Sequence, residues 1–290
     1  MREVDELFVS KASVKLFHYT SISSLLGIAE SRTLWASNAY FLNDSAEITH
    51  ACDVFEWVID DTISLSIEND RNVEFLRQLK KWIGSFKRGI YNIFVFSLSE
   101  QSNLLSQWRG YTPYGKGVSL CFPAGVINGI LGKNGFRLAK CVYTEGEKRE
   151  IINSLLDKLI RSFVNEFFGK EINGGRVDTR YFQFLERFRG EILQVLLIIK
   201  SSAFIEEQEW RLISPYYPGI AVPEVKFRAG ASILIPYLEI SLPDDGHIFD
   251  HVLLGPSQYQ AHAVAALDMF LLSKGLCSLA GGSGLPYRQW

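Results

Sequence analysis

The sequence has few of the features that mark several large classes of protein. Its 290 residues include only four cysteines, Cys52, Cys121, Cys141 and Cys277, and these lack the close spacing of a zinc ribbon or a disulfide-stabilised miniprotein. Apolar runs such as residues 195–199 are far shorter than the roughly 20 residues that a transmembrane helix needs. The N-terminus has no apolar stretch of the signal-peptide kind. We therefore expect a cytoplasmic protein whose reduced cysteines mostly lie in its core.

The sequence also lacks an excess of positive charge and several well-known catalytic motifs. The net charge of −2 provides no overall basic field to hold nucleic acid or an anionic membrane. There is no Walker phosphate loop, no G-x-G-x-x-G, no H-E-x-x-H and no G-x-S-x-G. Apolar residues make up 47% of the chain and charged residues 21%, which is typical of a folded protein. The length is sufficient to bury a substantial core.

The order of predicted elements indicates a single α+β domain over residues 1–290, with a helical insert at about 145–201. The insert is predicted from two long helices, whose apolar side chains recur at helical spacing within 152–167 and 185–199. Other helices are predicted at 22–29, 48–59, 70–88 and 257–273, and a short helix or turn at 102–111. Strands are predicted at 13–18, 33–37, 91–99, 117–122, 136–143, 204–213, 225–228, 232–240 and 248–254.

The predicted strand at 204–213 carries the main functional signal. Its period of two places Glu207, Glu209 and Arg211 on one face, and Trp210 and Leu212 on the other, which can pack against a core. Two aligned carboxylates repel each other and lose solvation, a cost that is tolerated mainly where a ligand or cation uses them. The alternative is an exposed edge strand whose charges discourage aggregation.

Two other segments offer partners for this strand. His18, Tyr19 and Thr20 lie where the first strand runs into the first helix, so that the helix N-terminus would favour an anion there. The alternative is a buried histidine beside a capping threonine. Ser97 and Ser99 share the polar face of an otherwise apolar strand. Because buried unpaired hydroxyls are costly, these serines would bind a ligand or position an acidic side chain, unless the strand face is open to solvent.

Two further segments have residue types that suit a nucleotide. Trp108, Arg109 and Tyr111 place aromatic rings beside an arginine, which fits a flat ring joined to a phosphate and fits a plain hydrophobic cluster equally well. The glycine-rich segment 281–284 could form a backbone nest for phosphate with Arg288 supplying charge, and its alternative is a flexible tail.

A polar helix face near residue 45 offers a weaker metal hypothesis. Asn43, Asp44, Glu47 and His50 have suitable spacing, but two carboxylates and one histidine without a second cluster are a poor metal set. A capping box formed by Asp44 and Glu47 explains the same residues more simply.

Taken together, these motifs resemble the bacterial family known as domain of unknown function 2971. The resemblance covers nearly the whole chain apart from the helical insert, and the family name implies no activity. The motifs are His18-Tyr19-Thr20, Leu42-Asn43-Asp44, Phe96-Ser97-Leu98-Ser99-Glu100, residues 108–111, residues 117–122, Glu207-Gln208-Glu209-Trp210-Arg211, Leu254-Gly255-Pro256 and Leu285-Pro286-Tyr287-Arg288.

A looser resemblance suggests a chemistry. His-x-Thr at a strand end, then Ser-x-Ser, then Glu-x-Glu is similar to the motif set of mono-ADP-ribosyltransferases, which bind NAD in the cleft of a split β-sheet. The resemblance implies a mixed, split β-sheet core, NAD as substrate without a metal, and transfer of ADP-ribose to an unknown protein or nucleic-acid acceptor. A toxin or phage-defence effector, with an antitoxin or defence-system partner and no membrane, fits this class.

The resemblance also implies roles for individual residues. His18, in the motif with Tyr19 and Thr20, would bind a ribose of NAD, and Ser97 and Ser99 would buttress the catalytic acid. Because His18 replaces the arginine that usually accompanies Glu-x-Glu, the sequence mixes two subfamily patterns. The remaining roles are stabilisation of the oxocarbenium ion by Glu209, activation of the acceptor by Glu207, stacking on nicotinamide by Tyr111 or Trp108, and a pyrophosphate contact from an arginine among Arg109, Arg211 and Arg288.

Two other functions remain open from the sequence. A non-catalytic nucleotide-binding or sensor module could use the same cleft. A hydrolase could use Glu207 and Glu209 as an acid–base pair, but neighbouring residues on one strand face sit too close for the wider geometry of inverting glycosidases.

Overall fold

A computed structural model describes residues 4–9, 11–42, 46–66, 71–131, 135–167, 179–219, 222, 224–244, 247–276 and 279–285. The predicted α+β class is confirmed, because helices pack on both faces of a large mixed sheet. The described strands are β1 (Phe8–Val9), β2 (Leu16–Thr20), β3 (Thr33–Asn38), β4 (Phe94–Ser99), β5 (Val118–Phe122), β6 (Arg137–Lys140), β7 (Glu209–Ile213), β8 (Lys226–Ala229), β9 (Leu234–Ser241), β10 (His251–Leu254) and β11 (Ala280–Gly282).

Seven of the eight described α-helices divide into two sets by the face that they cover, and the short helix at Leu105–Tyr111 places Trp108 in a third, smaller cluster. The α-helices are α1 (Ile22–Ser31), α2 (Glu47–Ser64), α3 (Arg71–Ser85), α4 (Leu105–Tyr111), α5 (Ala124–Ile130), α6 (Glu145–Phe167), α7 (Thr179–Leu196) and α8 (Gln260–Ser273). Apolar side chains of α2, α3, α6 and α7 form one core against the sheet, and those of α1, α5 and α8 belong to the core on the opposite face. Among the described helices, none combines the length and apolar character needed to cross a bilayer.

The strand order along the sheet is β1-β6-β7-β4-β2-β5-β10-β11, and a branch of β3, β9 and β8 leaves it at β4. All of these pairs are antiparallel except β10 with β11. Strand alternation assigns the two cores: Val95 lies in the α2/α3/α6/α7 core, whereas Phe94, Phe96 and Leu98 lie in the other. Both faces of the sheet are therefore covered by a hydrophobic core.

Several predicted segments require correction. The glycine-rich segment at 281–284 is not a phosphate nest at Gly281 and Gly282, since both lie in β11 and pair with β10. Strand β1 and helix α5 were not predicted from the sequence. Helix α7 ends at Leu196 rather than near residue 199, because the chain then turns and Ile199 forms a parallel bridge to Val142. This turn is important for the site, because it positions Lys200.

Candidate functional site

The candidate site lies where the pairing partner along one edge of β4 changes from β3 to β2. Strand β3 pairs with the start of β4, and β2 pairs with its last residue, Ser99, so the two partners diverge between these points. The N–H of Glu100 donates to the carbonyl of Gln208, so alternate backbone groups of β4 face β7. The backbone groups of Ser97 consequently face the gap between β2 and β3.

The His18 side chain fills this gap. Its Nδ1 lies 2.9 Å from the Ser97 carbonyl oxygen, and its ring packs on Phe96 with ring centroids 4.4 Å apart. Burial lowers the pKa of His18 to about 4, and the bond to Ser97 opposes this shift only in part. The imidazole is therefore neutral at physiological pH. Because a carbonyl only accepts, Nδ1 carries the proton and Nε2 keeps its lone pair.

The glutamate-rich segment is not a continuous strand, contrary to the prediction for 204–213. A 3-10 helix spans Ser202–Glu207, and β7 begins only at Glu209. Two local interactions override the alternating pattern: the Ser201 side chain caps the turn, and Gln208 ends it in the left-handed conformation with φ 43°. Glu209 and Arg211 share a strand face as predicted, whereas Glu207 reaches the same region from the turn.

Glu209 belongs to a largely buried cluster of five charged side chains. Lys200 Nζ lies 2.5 Å from Glu207 Oε2 and 2.6 Å from Glu209 Oε2. Arg211 Nε donates to Glu209 Oε1 at 2.8 Å, and Arg211 Nη2 donates to Glu47 Oε2 at 2.7 Å. Lys200 Nζ also lies 3.3 Å from Glu47 Oε1. Three carboxylates thus face two cations, which leaves one formal negative charge in the cluster.

The two glutamates of the Glu-x-Glu motif have pKa values shifted in opposite directions. Burial alone would raise the pKa of Glu209, but Arg211 and Lys200 lower it to about 2. Burial raises the pKa of Glu207, with attraction to Lys200 opposing the shift. Burial also opposes the charge of Lys200, yet its pKa is raised, because Glu209 is so close. Glu209 is therefore fixed as an anion, and Glu207 is the carboxylate that is easier to protonate.

Backbone bonds hold both glutamates in place. The Ser99 hydroxyl donates to the Glu207 carbonyl at 2.6 Å, and it accepts the N–H of Gln101 at 2.9 Å. The Glu209 N–H donates to the Tyr143 hydroxyl at 2.8 Å. Ser99 thus supports the turn that carries Glu207, in register opposite Glu209.

A small pocket of about 40 Å³ brings together six of the residues singled out from the sequence. They are His18, Tyr19, Ser97, Tyr111, Glu207 and Glu209. The Tyr111 hydroxyl lies 3.4 Å from Glu207 Oε1, and burial raises the pKa of this phenol. A volume of this size holds about one water molecule, so the pocket is closed to anything larger in this conformation.

Other predicted site residues lie in the protein interior beside the pocket. Tyr19 lines the pocket, but its hydroxyl donates to the Gln101 carbonyl at 2.7 Å. Trp108 is fully buried, packs edge-on against Tyr19 with centroids 4.9 Å apart, and donates from Nε1 to Asn103. Thr20 is also buried. Trp108 thus belongs to a hydrophobic cluster with Tyr19, which corrects the idea that it stacks on a ligand ring.

The remaining predicted residues lie elsewhere or outside the described residues. Arg109 is exposed on α4. Arg288, Asn43 and Asp44 lie outside the described residues. Glu47 is the first residue of α2, but its carboxylate pairs with Arg211 and Lys200, which corrects its assignment to a capping box.

The sequence reasoning missed Lys200 as a site residue. Lys200 directly follows the apolar run 195–199, and it contacts Glu47, Glu207 and Glu209. A lone lysine directly after a buried apolar run is a usable signal, because a buried ammonium requires acidic partners.

Comparisons with known proteins agree with part of the sequence interpretation. No curated protein and no solved structure matches the chain. Residues 107–212 match the model of the family described as Protein of unknown function (DUF2971). The matched segment includes Tyr111, Lys200 and both glutamates of the pocket, whereas His18 and Ser97 lie before it. The match confirms the resemblance drawn from the motifs for this part of the chain, which is similar to the DUF2971 family.

Proposed function

We propose that this chain transfers ADP-ribose from NAD to a macromolecular acceptor at the pocket between Glu207 and His18. The observation that supports this function is the opposite shift of two carboxylate pKa values in one pocket. Paired groups whose environments separate their pKa values are typical of an acid–base or ion-stabilising assignment. Here the permanently charged partner is Glu209, and the partner that exchanges a proton is Glu207.

The proposed reaction breaks the glycosidic bond between ribose and nicotinamide, and the bonding electrons leave with nicotinamide. The positive charge that develops on the ribose is stabilised by the fixed carboxylate of Glu209 in a dry site. A nucleophilic atom of the acceptor then bonds to the ribose carbon, and its proton passes to Glu207. The lone pair on Nε2 of His18 accepts a hydrogen bond from a ribose hydroxyl. This chemistry requires no metal.

Entry of NAD requires the pocket to open. A volume of about 40 Å³ is too small for the nicotinamide end of the molecule. We propose that Tyr111 moves outward, since its side chain is 40% exposed and its hydroxyl makes a long bond to Glu207. The displaced ring would then stack on nicotinamide. The divergence of β2 and β3 at β4 supports a split-sheet comparison with ADP-ribosyltransferases.

The acceptor is proposed to be a protein or nucleic acid in the cell that makes this protein or in its competitor. A role as a toxin or phage-defence effector, with an antitoxin or defence-system partner, follows from the same resemblance. These assignments depend on the transferase activity and are tested after it.

Labelled NAD and a cell lysate test the proposal directly. Wild type should release nicotinamide and label an acceptor, and Glu207→Gln should reduce the labelling of the acceptor by about 100-fold or more. Glu206→Gln is the matched control, because Glu206 is an exposed neighbour in the same turn, and it should keep full activity. Circular dichroism confirms that each variant is folded. A folded wild type that neither binds NAD nor releases nicotinamide would disprove the proposal.

A second candidate function is nucleotide binding without chemistry. It is favoured by the bonds that already occupy both carboxylate oxygens of Glu209, from Arg211 and Lys200. Such a module would show a saturable rise in melting temperature with NAD or another nucleotide, without turnover. The same samples therefore distinguish the two functions.

A further inference from the structure

A second group of chemically reactive side chains lies on the sheet away from the pocket. Cys121 of β5 stands directly opposite His251 of β10 in the strand register, and Asp250 precedes His251. The Cys121 sulfur, a ring nitrogen of His251 and a carboxylate oxygen of Asp250 all lie within 4.8 Å of one another. These residues are far apart in the sequence, so only the pairing of β5 with β10 brings them together.

We propose that Cys121, Asp250 and His251 bind a divalent transition metal of the zinc class. One thiolate, one imidazole and one carboxylate form a donor set that suits zinc and cobalt and that hard cations such as calcium and magnesium disfavour. Tetrahedral zinc sites place ligand atoms about 3.3–3.8 Å apart, so closing from within 4.8 Å requires side-chain movement only. A solvent molecule completes the coordination.

The surroundings of the three residues hold them near this arrangement. The Asp250 N–H donates to the Cys121 carbonyl at 2.8 Å, which ties the start of β10 to β5. His251 Nδ1 lies 3.0 Å from Asp250 Oδ2, and the His251 ring contacts Phe17 with centroids 5.8 Å apart. Cys121 is fully buried in a small apolar cluster with Phe17, Tyr19 and Trp108. The sulfur donor is thus shielded while the oxygen and nitrogen donors are partly exposed.

A positive charge already occupies one side of the cluster. Lys15 Nζ lies 2.9 Å from Asp250 Oδ2, and this lysine is largely exposed, so it can swing into solvent at little cost. A bound metal would replace the ammonium at Asp250. The Cys121 thiol proton would be released to solvent on binding, which makes the affinity increase with pH.

Metal binding would link the end of the sheet to the candidate active site. Phe17 contacts His251 on one side and lines the pocket on the other. A metal that fixes His251 would therefore hold Phe17, and with it one wall of the pocket. The three metal ligands lie on β5 and at β10, whereas the pocket glutamates belong to β7 and to the turn before it. The metal would therefore act on the pocket through the packing of Phe17.

Cobalt(II) is the probe that tests the site, because a cobalt–thiolate bond produces a near-ultraviolet charge-transfer band. Purified metal-free wild type should develop this band and saturate at one cobalt per chain. Cys121→Ser and His251→Asn should abolish it. Cys52→Ser is the matched thiol control, since Cys52 is equally buried but lies on α2, and it should leave the band intact.

The variant Lys15→Ala provides a second, independent test of the metal site. Removing the competing ammonium should tighten cobalt binding about fivefold, the equivalent of one exposed ion pair. Zinc should also raise the melting temperature of wild type and of Cys52→Ser, but not of Cys121→Ser. The proposal is overturned if neither folded wild type nor Lys15→Ala gives a charge-transfer band with excess cobalt. It is equally overturned if the band survives in Cys121→Ser, because the metal then binds elsewhere.

Discussion

Glu209→Gln should destabilise the protein far more than Glu207→Gln, although the two positions are adjacent in the Glu-x-Glu motif. The folded state lowers the pKa of Glu209 from 4.5 to about 2. Since one pKa unit corresponds to about 1.4 kcal/mol, ionised Glu209 contributes about 3 kcal/mol to the free energy of unfolding at pH 7. This agrees with the lower end of the ~3–5 kcal/mol lost when a buried ion pair is broken.

Glu207 behaves differently because burial raises its pKa. A carboxylate whose pKa is higher in the folded state opposes folding when it is ionised. Glutamine removes that charge and keeps the shape, and Lys200 retains Glu47 and Glu209 as partners. Glu207→Gln should therefore leave the free energy of unfolding at pH 7 unchanged or slightly higher. It is also the better variant for activity measurements.

The stabilisation that Glu209 contributes should decrease as the pH falls. Its contribution is fully present above about pH 4.5, the unfolded value, and is lost as the pH falls through the folded value of about 2. The difference between wild type and Glu209→Gln should therefore shrink from about 3 kcal/mol at pH 7 to about 2 kcal/mol at pH 3.5.

Urea-induced unfolding of wild type and both variants at these two pH values measures the effect. Circular dichroism and tryptophan fluorescence should give coincident transitions, so that a two-state free energy applies. Equal losses in the two variants at pH 7, or a Glu209→Gln loss that does not diminish at pH 3.5, would refute the electrostatic reasoning.

Two further stability predictions follow from single contacts. Lys200→Met should lower the free energy of unfolding, measured with denaturant, by about 3–5 kcal/mol, because it leaves buried carboxylates unpaired. Lys148→Met should lower it by less than about 1 kcal/mol, because the glutamate bonded to that equally buried lysine is 67% exposed. Equal losses of unfolding free energy in the two variants would contradict this prediction. Gly117→Ala should lower the free energy of unfolding by about 3 kcal/mol, since its Cβ would stand 2.3 Å from the Thr20 carbonyl oxygen. Gly110→Ala, with open space around its Cβ, should instead gain up to about 1 kcal/mol, and a similar loss in both would argue against the predicted clash.

The periodic spacing of apolar residues in single strands and helices was predicted correctly from the sequence. In β4 the predicted alternation is present, and the structure places Phe94, Phe96 and Leu98 in one core and Val95 in the other. On α2, apolar residues at helical spacing all face one core, from Ile48 to Ile59. Period is predictable because it depends only on backbone geometry and on which side chains avoid water.

Local turn chemistry was harder to predict. The alternation at 207–212 led to a strand prediction that extended back to residue 204. The residues before β7 instead form a turn, because Ser201 caps it and Gln208 accepts a left-handed conformation. Both interactions are short-range, but each is worth only about 1 kcal/mol, and the strand pattern competes with them at similar strength. The sequence pattern therefore placed Glu207 beside Glu209 through an incorrect local structure.

The sequence by itself determined the α+β class, the residue types of the candidate site and the resemblance to the DUF2971 family. Only the tertiary structure determined which charged side chains pair with one another. The turn after α7 places Lys200 beside the glutamates at β7, and α2 places Glu47 there. These pairings depend on strand register and helix packing between residues far apart in the chain, because a buried charge takes the partner that the fold brings within reach. The same reason explains why Cys121 and His251 become neighbours only when β5 pairs with β10.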